Sequence, residues 1–324
     1  MFELQTIGTW WMWLGFGVFI VAMLAIDMVA LAHKGAHKVG VKEALVWSLV
    51  WFSLALLFGA VLWGWLDHTA GREVADSKAM EYLTGYLLEK TLAIDNVFVF
   101  VMIFSYFAVP LEFQKRILVY GVLGAIILRA LMVLLGAWLI AQFHWVLYLF
   151  GAFLLISGIK MFAFADSESD LSQNSLLRWL RSHVRITDGY HGDKFWIAKQ
   201  GVRWFTPMFL VLVLIEISDV VFAMDSIPAI FAVTSDPFIV FTSNIFAILG
   251  LRALYFLLAD MADRFHLLKY GLAVVLIFVG TKMLIVDFLK IPVAVSLGVV
   301  VSVLGISILL SLKASRKPDN LGSN

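Results

Sequence analysis

Nine stretches of the sequence are each long and apolar enough to cross a lipid bilayer, and this repetition restricts the fold more than any other feature. A helix needs roughly 20 apolar residues to span the hydrocarbon core. Of the 324 residues, 62% are hydrophobic and 15% are charged, whereas a soluble domain has about a quarter charged residues. The predicted spans are 10–32, 44–66, 82–106, 117–140, 145–165, 205–232, 237–260, 268–288 and 292–312. We therefore predict an all-α polytopic membrane protein with about nine transmembrane helices, embedded in the lipid bilayer.

Charge and cysteine content exclude several other classes of protein. The formal net charge is +1, which argues against a nucleic-acid-binding surface. No cysteine is present, so disulfides, thiolate metal sites and thiol redox pairs are excluded. The chain begins Met1-Phe2-Glu3 without a basic segment, and its first apolar run is too long for a cleaved signal peptide. We interpret that run as a retained first span.

The distribution of basic residues predicts the orientation. One set of alternating loops contains sixteen Lys and Arg residues, and the other set contains three, namely Arg72, Lys78 and Lys290. Cytoplasmic loops carry the excess of Lys and Arg. The N-terminus is therefore expected outside the cell and the C-terminus in the cytoplasm.

Three local similarities recur in the same order in the two halves of the chain. The segment Glu89 to Asn96 resembles Asp219 to Ser226 at an offset of 130, and Leu128-Arg129-Ala130-Leu131 matches Leu251-Arg252-Ala253-Leu254 at an offset of 123. A third match pairs Gly158 and Lys160 with Gly280 and Lys282 at an offset of 122. Each repeat has three spans, so the second repeat enters the membrane from the opposite side. Such inverted repeats are typical of secondary transporters, although a duplication retained only for packing is an alternative.

The repeats divide the chain into five parts. Residues 1–81 form two N-terminal transmembrane helices, 82–165 the first three-helix repeat, and 166–204 a cytoplasmic loop. Residues 205–288 form the second, inverted repeat, and 289–324 the last transmembrane helix and a cytoplasmic tail. The loop is predicted to be a solvated linker with a short interfacial helix; a regulatory or partner-binding role is the alternative.

Charged residues inside predicted spans mark the candidate site. Five carboxylates lie well inside spans: Glu89, Asp95, Glu216, Asp219 and Asp225. Each costs roughly 2.5–3.5 kcal/mol at a helix centre on insertion scales. Three bases accompany them as charge partners, Lys90, Arg129 and Arg252, which leaves two negative charges if all are ionised. That excess would suit one divalent cation or two protons. A structural salt-bridge network is the alternative. Glu81, just before span three, is expected in solvent.

The chemistry and spacing of these side chains limit which metal could bind. The candidate donors are carboxylates, the Asn96 amide and the Ser226 hydroxyl. Oxygen donors favour Mg, Ca or Mn over Zn or Cu. Glu89 and Asn96 are seven residues apart, so they share one helix face, whereas Asp95 points elsewhere. Because Pro228 removes a backbone donor, a helix break is expected at Asp225–Pro228. Such a break would supply carbonyl ligands.

The same residues carry a resemblance to a known family. The segment from Glu89 through Asp95-Asn96 to Val109-Pro110 resembles the first motif of the TerC family of integral membrane proteins. The segment from Glu216 through Asp225-Ser226 to Asn244 resembles the second.

The resemblance covers most of the chain and implies a Mn²⁺ exporter of the bacterial inner membrane, related to the LysE-type transporters. It assigns the metal site to Glu89, Asp95, Asn96, Glu216, Asp219, Asp225 and Ser226. Manganese itself is implied by the resemblance alone, since the donors do not choose it over calcium or magnesium.

Two functional hypotheses follow. The first is a secondary transporter that exports a divalent metal, Mn²⁺ in particular, by proton antiport, with no permanently bound cofactor. The second is a membrane scaffold of a tellurite or metal stress-resistance complex that does not transport. The sequence contains no phosphate-binding loop, so transport is expected to be driven by gradients. An enzyme is not expected, because the sequence contains no H-E-x-x-H motif and its serines have no nearby His at midplane depth.

Overall fold

Helices dominate the structure. A computed structural model describes residues 6–34, 40–143, 145–163, 179, 182–199, 201–258 and 267–314. Ten helices lie within them: α1 (Trp10–Lys34), α2 (Val41–Thr69), α3 (Arg72–Tyr106), α4 (Leu111–Gln142), α5 (Val146–Ala163), α6 (Pro207–Phe231), α7 (Pro237–Leu249), α8 (Leu251–Leu258), α9 (Leu268–Leu284) and α10 (Val293–Ala314). A two-stranded antiparallel sheet, β1 (Trp196–Lys199) and β2 (Val202–Phe205), precedes α6.

Several helices meet the requirements for crossing a membrane. Within the described residues, α2, α4, α5, α6 and α10 are long and apolar enough by length and composition, and the bent pair α7–α8 would make a sixth span. The outward faces of these helices expose large apolar side chains, for example Leu131, Leu134, Trp138 and Ile156, which are 51–65% exposed. Such a surface is stable against lipid, so the fold is that of a polytopic helical membrane protein.

The sequence correctly predicts where helices form but misplaces a break. Helix α6 is continuous through Pro228 and ends at Phe231, so the break expected at Asp225–Pro228 is wrong. Proline removes only one donor, and in the last turn its loss is tolerated because the helix stops there. The break lies instead at Gly250, where α7 and α8 meet with a bend of 40°.

Helices α5 and α9 cross at close range through small residues. A Cβ on Gly280 would lie 2.8 Å from the Gly151 carbonyl oxygen, and a Cβ on Gly158 would lie 2.9 Å from that of Ala273. Residue numbers fall along α9 as they rise along α5, so the two helices are antiparallel. Small residues allow such close backbone approach between membrane helices. The third helices of the two predicted repeats therefore form one tightly packed pair.

Part of the 166–204 segment is folded against the helices, unlike the linker expected there. Its residues 166–178, 180–181 and 200 lie outside the described part of the chain. Tyr190 donates a hydrogen bond to the Phe107 carbonyl oxygen (2.7 Å) after α3, and burial raises the pKa of Tyr190 to about 12. Asp193 pairs with Arg116 of α4. The hairpin that follows turns at Gly201, whose φ of +76° suits glycine.

Candidate functional site

A buried arginine forms the centre of the candidate site. Arg129 of α4 is 1% exposed and forms ion pairs with Glu89 of α3 and with Asp219 of α6, the latter at 3.1 Å. It also donates to the Ser226 hydroxyl at 2.9 Å and to the Asn244 amide oxygen of α7 at 3.3 Å. Four helices from both predicted repeats therefore converge on one guanidinium.

The two carboxylates and the guanidinium are shielded from water, so their opposite charges must stabilise each other. Glu89 is 1% exposed and Asp219 is 2% exposed, so neither is solvated. Removing one partner from a buried ion pair typically costs about 3–5 kcal/mol, because an uncompensated charge is left behind. The guanidinium of Arg129 is the cation that stabilises the two carboxylates.

Three residues of the candidate site and its motifs each have a buried polar atom without a hydrogen-bond partner in the part of the chain that the structure describes. Among the described residues, the second carboxylate oxygen of Glu89, the amide oxygen of Asn96 and the amide nitrogen of Asn244 are buried and unbonded. Asn96 is 2% exposed and lies two turns after Glu89 on α3. A buried polar atom without a partner costs about 1–3 kcal/mol. Glu89 and Asn96 therefore retain oxygen atoms that could bind a cation.

The other predicted ligands do not join this cluster. Glu216 packs against Gly124 of α4 so closely that a Cβ on Gly124 would lie 2.1 Å from its Oε1. Asp225 is half-buried and interacts with Ser157 of α5. Each carboxylate has one buried oxygen without a hydrogen-bond partner among the described residues. Asp95 lies on α3, but its side chain is outside the described part.

The remaining charge partners lie beside the helix break. The Lys90 ammonium is buried without a hydrogen-bond partner in the described structure, and a Cβ on Gly250 would lie 2.4 Å from it. Arg252, two residues after Gly250, lines a small cavity together with Asp219. Of the three predicted partners, Arg129 pairs directly with Glu89 and Asp219.

The described residues do not form a ready metal centre. Within the ranges that the structure describes, no group of three or more His, Asp or Glu side chains is arranged to hold a metal ion. Of the seven predicted ligands, the structure brings Glu89, Asp219 and Ser226 together around Arg129. The full seven-residue set stays a prediction.

One buried acid was missed from the sequence. Glu81 was expected in solvent, but it is 8% exposed and accepts hydrogen bonds from Lys78 (2.8 Å) and from Thr234. The missed signal is that α3 begins at Arg72, ten residues before the predicted span, so Glu81 lies within a packed helix. Asn244, in contrast, belongs to the quoted motif and contacts Arg129.

Comparison with known proteins identifies the family. The family model described as "Integral membrane protein TerC family" matches residues 74–319. A protein of Escherichia coli K12 with the name membrane-bound redox modulator Alx is 56% identical over 316 residues, covering 98% of each chain. The membrane protein STKORF319 of Myxococcus xanthus is 48% identical over 311 residues, covering 96% of this chain and 95% of that one. No solved structure gives a significant match. The chain therefore belongs to the TerC family of integral membrane proteins.

Proposed function

We propose that this protein is a secondary transporter that exports a divalent metal, Mn²⁺ in particular, from the bacterial cytoplasm in exchange for protons. The observation that carries the proposal is the buried cluster in which Arg129 holds Glu89 of one repeat and Asp219 of the other. Buried ionisable residues inside a membrane bundle are costly and typically mark an ion pathway. Inner-membrane location, an outside N-terminus and a cytoplasmic C-terminus belong to the same proposal.

Reciprocal packing supports the inverted repeat. Offsets near 122 pair Gly158 with Gly280 and Gly151 with Ala273. Gly158 approaches the Ala273 carbonyl, and Gly280 approaches the Gly151 carbonyl, at nearly equal distances. A two-fold axis between antiparallel helices generates this reciprocal contact. An axis lying in the membrane plane relates the halves of many secondary transporters.

Nine spans remain part of the proposal. A helix, or the bent pair α7–α8, occupies each of the nine predicted segments. Three of these fall short of the criteria for a membrane span: α3 carries many charged residues, α9 has 17 residues, and the described apolar part of α1 is Trp10–Ile26. These three remain compatible with crossing, since tilt and bilayer thinning accommodate differences in length and charges can be buried inside the bundle.

Exchange of one cation for another is the mechanism that the cluster suggests. Arg129 compensates the charges of Glu89 and Asp219 by direct contact, so the two carboxylates do not need a metal to be stable. A divalent ion with greater charge density would displace the guanidinium and gain the free oxygens of Glu89 and Asn96. Protons returning to the carboxylates would then release the metal, which gives antiport.

The name of the Escherichia coli relative suggests a second role, in redox modulation. The absence of cysteine in this chain excludes thiol–disulfide chemistry by its own side chains. Any redox effect would therefore be indirect, for example through the cellular metal content. Transport of a metal is the simpler first test.

Efflux from proteoliposomes is the experiment that tests the proposal. We expect Mn²⁺ flux that depends on an imposed pH gradient, measured in parallel with Ca²⁺, Mg²⁺ and Zn²⁺. Asp95→Asn and Asp225→Asn are expected to reduce that flux to the level of protein-free vesicles, because each removes one of the charges assigned to the ion pathway. Wild-type flux in both variants would refute the assigned site.

The scaffold hypothesis is favoured by one observation, namely that Arg129 compensates the buried acids through direct ion pairs. A partner-binding role would then belong to the cytoplasmic segment. Deleting residues 166–178 is the discriminating change, because it spares Tyr190 and Asp193, which contact the helices. We expect transport to persist in the deletion variant. Loss of metal resistance in cells with intact vesicle transport would favour the scaffold.

A further inference from the structure

The β1–β2 hairpin lies beside the ends of two membrane helices. Its second strand ends at Phe205, and α6, which is long and apolar enough to span a membrane, begins at Pro207. Just before the first strand, the ring of Phe195 packs edge-on against Tyr120 of α4, with 5.2 Å between the ring centroids. Tyr120 is the fourth residue of the predicted span 117–140. The hairpin therefore begins and ends at the level of the membrane surface.

The short strands keep the whole hairpin near that surface. Each strand has four residues, and a strand rises about 3.3 Å per residue, so the hairpin is about 13 Å long. The polar headgroup layer on each side of a bilayer is roughly 5–8 Å thick. An upright hairpin therefore has its first half within this layer, and a tilted hairpin lies within it along most of its length.

The hairpin carries positive charge that no acid of its own compensates. Residues 194–206 include three basic residues, Lys194, Lys199 and Arg203, and no acidic residue. All three are exposed, and none forms an ion pair with a residue that the structure describes. Asp193, the nearest acid in the sequence, pairs with a base of α4 instead. The charge of the hairpin is thus complementary to that of anionic phospholipids.

Each face of the hairpin places one of these cations on a tryptophan. The guanidinium carbon of Arg203 lies 5.0 Å from the centroid of the Trp196 ring, and the Lys199 ammonium lies 5.7 Å from that of Trp204. Side chains alternate between the faces of a strand, so the cross-strand register puts the two pairs on opposite faces. Trp196 is 51% exposed. Tryptophan is enriched at membrane–water interfaces, and basic side chains there extend to the headgroups.

We propose that the β1–β2 hairpin is a docking site for the anionic phospholipid headgroups of the membrane around the protein. Lys199 and Arg203 bind the headgroup phosphates, and the rings of Trp196 and Trp204 lie at the boundary with the acyl chains. Docking holds the hairpin against the bilayer and so fixes the adjoining end of α6. This surface is separate from the buried cluster around Arg129, so it does not depend on which ion the protein transports.

A single cysteine on the hairpin measures docking, because the natural chain has none. Ala198→Cys is the reporter, since Ala198 is exposed and lies opposite Arg203 without belonging to either cation–tryptophan pair. The full chain, with an environment-sensitive fluorophore on this cysteine, is reconstituted in nanodiscs of phosphatidylcholine with or without phosphatidylglycerol. Lipids with a nitroxide at the headgroup quench docked label, and acrylamide in the water quenches undocked label. Together they give the ratio of docked to undocked hairpin.

Phosphatidylglycerol should raise this ratio. We expect an increase of about fivefold for each of the two cations, the usual effect of a basic residue near an anionic surface. Lys199→Gln combined with Arg203→Gln should remove the increase, and Arg203→Lys, which keeps the charge, should retain it. Salt at about 1 M, where the Debye length is about 3 Å, should also remove it. The salt measurement needs no basic residue to be replaced, so it decides the result if the double variant fails to fold.

Lys290→Gln is the matched control. Lys290 is also an exposed base, but it lies between α9 and α10, on the other side of the membrane in the predicted topology. Its replacement should leave the ratio unchanged, and a loss as large as that of the double variant would overturn the assignment. Equal ratios with and without phosphatidylglycerol would overturn recognition of charge. Label that stays in water in both lipids would overturn docking and leave the hairpin to a soluble protein partner.

Discussion

Replacing Asp219 with asparagine is expected to abolish Mn²⁺ efflux and to destabilise the protein. Asparagine preserves the shape of the side chain but removes one of the two charges that compensate Arg129, so a buried cation is left with Glu89 alone. Breaking such a pair typically costs about 3–5 kcal/mol. Efflux from proteoliposomes and unfolding of the purified protein in detergent measure the two effects, and Glu89→Gln should behave in the same way.

Asp76→Asn provides the matched control. Asp76 is also an acid in an ion pair, but its side chain is 52% exposed and its partner Arg72 is on the surface. Exposed pairs contribute about 0–1 kcal/mol, so both flux and stability should stay close to wild type. If Asp219→Asn matched this control in both measurements, the buried cluster would have no role in either transport or folding.

Replacing Gly280 with alanine is expected to destabilise the contact between α5 and α9. The added Cβ would lie 2.6 Å from the backbone nitrogen of Leu155 and 2.8 Å from the Gly151 carbonyl oxygen. Backbone atoms cannot rotate away, so the helices must separate. Overpacking of this kind typically costs about 1–3 kcal/mol, occasionally more. Thermal unfolding followed by the intrinsic fluorescence of the tryptophans measures the loss.

Gly298→Ala is the appropriate control for this change. Gly298 lies in α10, and a Cβ there would meet nothing within 4 Å. Alanine favours a helix by up to about 1 kcal/mol over glycine, so this variant should be as stable as wild type or more so. Gly158→Ala, at the repeat-equivalent position of the crossing, should instead destabilise as Gly280→Ala does. If one of Gly158→Ala and Gly280→Ala destabilised the protein and the other stabilised it, reciprocal packing would be contradicted.

Apolar segments of about 20 residues were sufficient to predict where the helices form. Mean hydropathy is averaged over many residues, so a single polar residue within an apolar segment does not change the prediction of a helix. A helix break was predicted at Pro228 because proline lacks a backbone hydrogen-bond donor. The structure has the break at Gly250 instead, where the Lys90 ammonium lies against the helix backbone. That contact joins residues far apart in sequence, and no local pattern encodes it.

The sequence predicted which residues form the candidate site, but only part of the contacts between them. Glu89, Asp219, Ser226 and Arg129 were all named from their unusual positions inside apolar spans, and they are in contact. Arg129 was named from the sequence as a charge partner of the acids, but which acids it pairs with could not be predicted, because insertion cost identifies a buried charge without identifying its partner. Asp225 lies six residues after Asp219, so helical spacing directs it to another face, where it meets α5. Glu216, three residues before Asp219, shares the face of Asp219 but contacts α4 at Gly124.

Binding of Mn²⁺ to the purified protein tests the central claim most directly. Electron paramagnetic resonance at low Mn²⁺ concentration reports the free hexaaqua ion, whose signal weakens on binding. We expect one Mn²⁺ bound per wild-type chain, as two excess negative charges suggest, and we expect this binding to be lost when Glu89→Gln and Asp219→Asn are combined. An undiminished free-ion signal with the folded wild-type protein, or equal binding by the double variant, would contradict a metal site at these carboxylates.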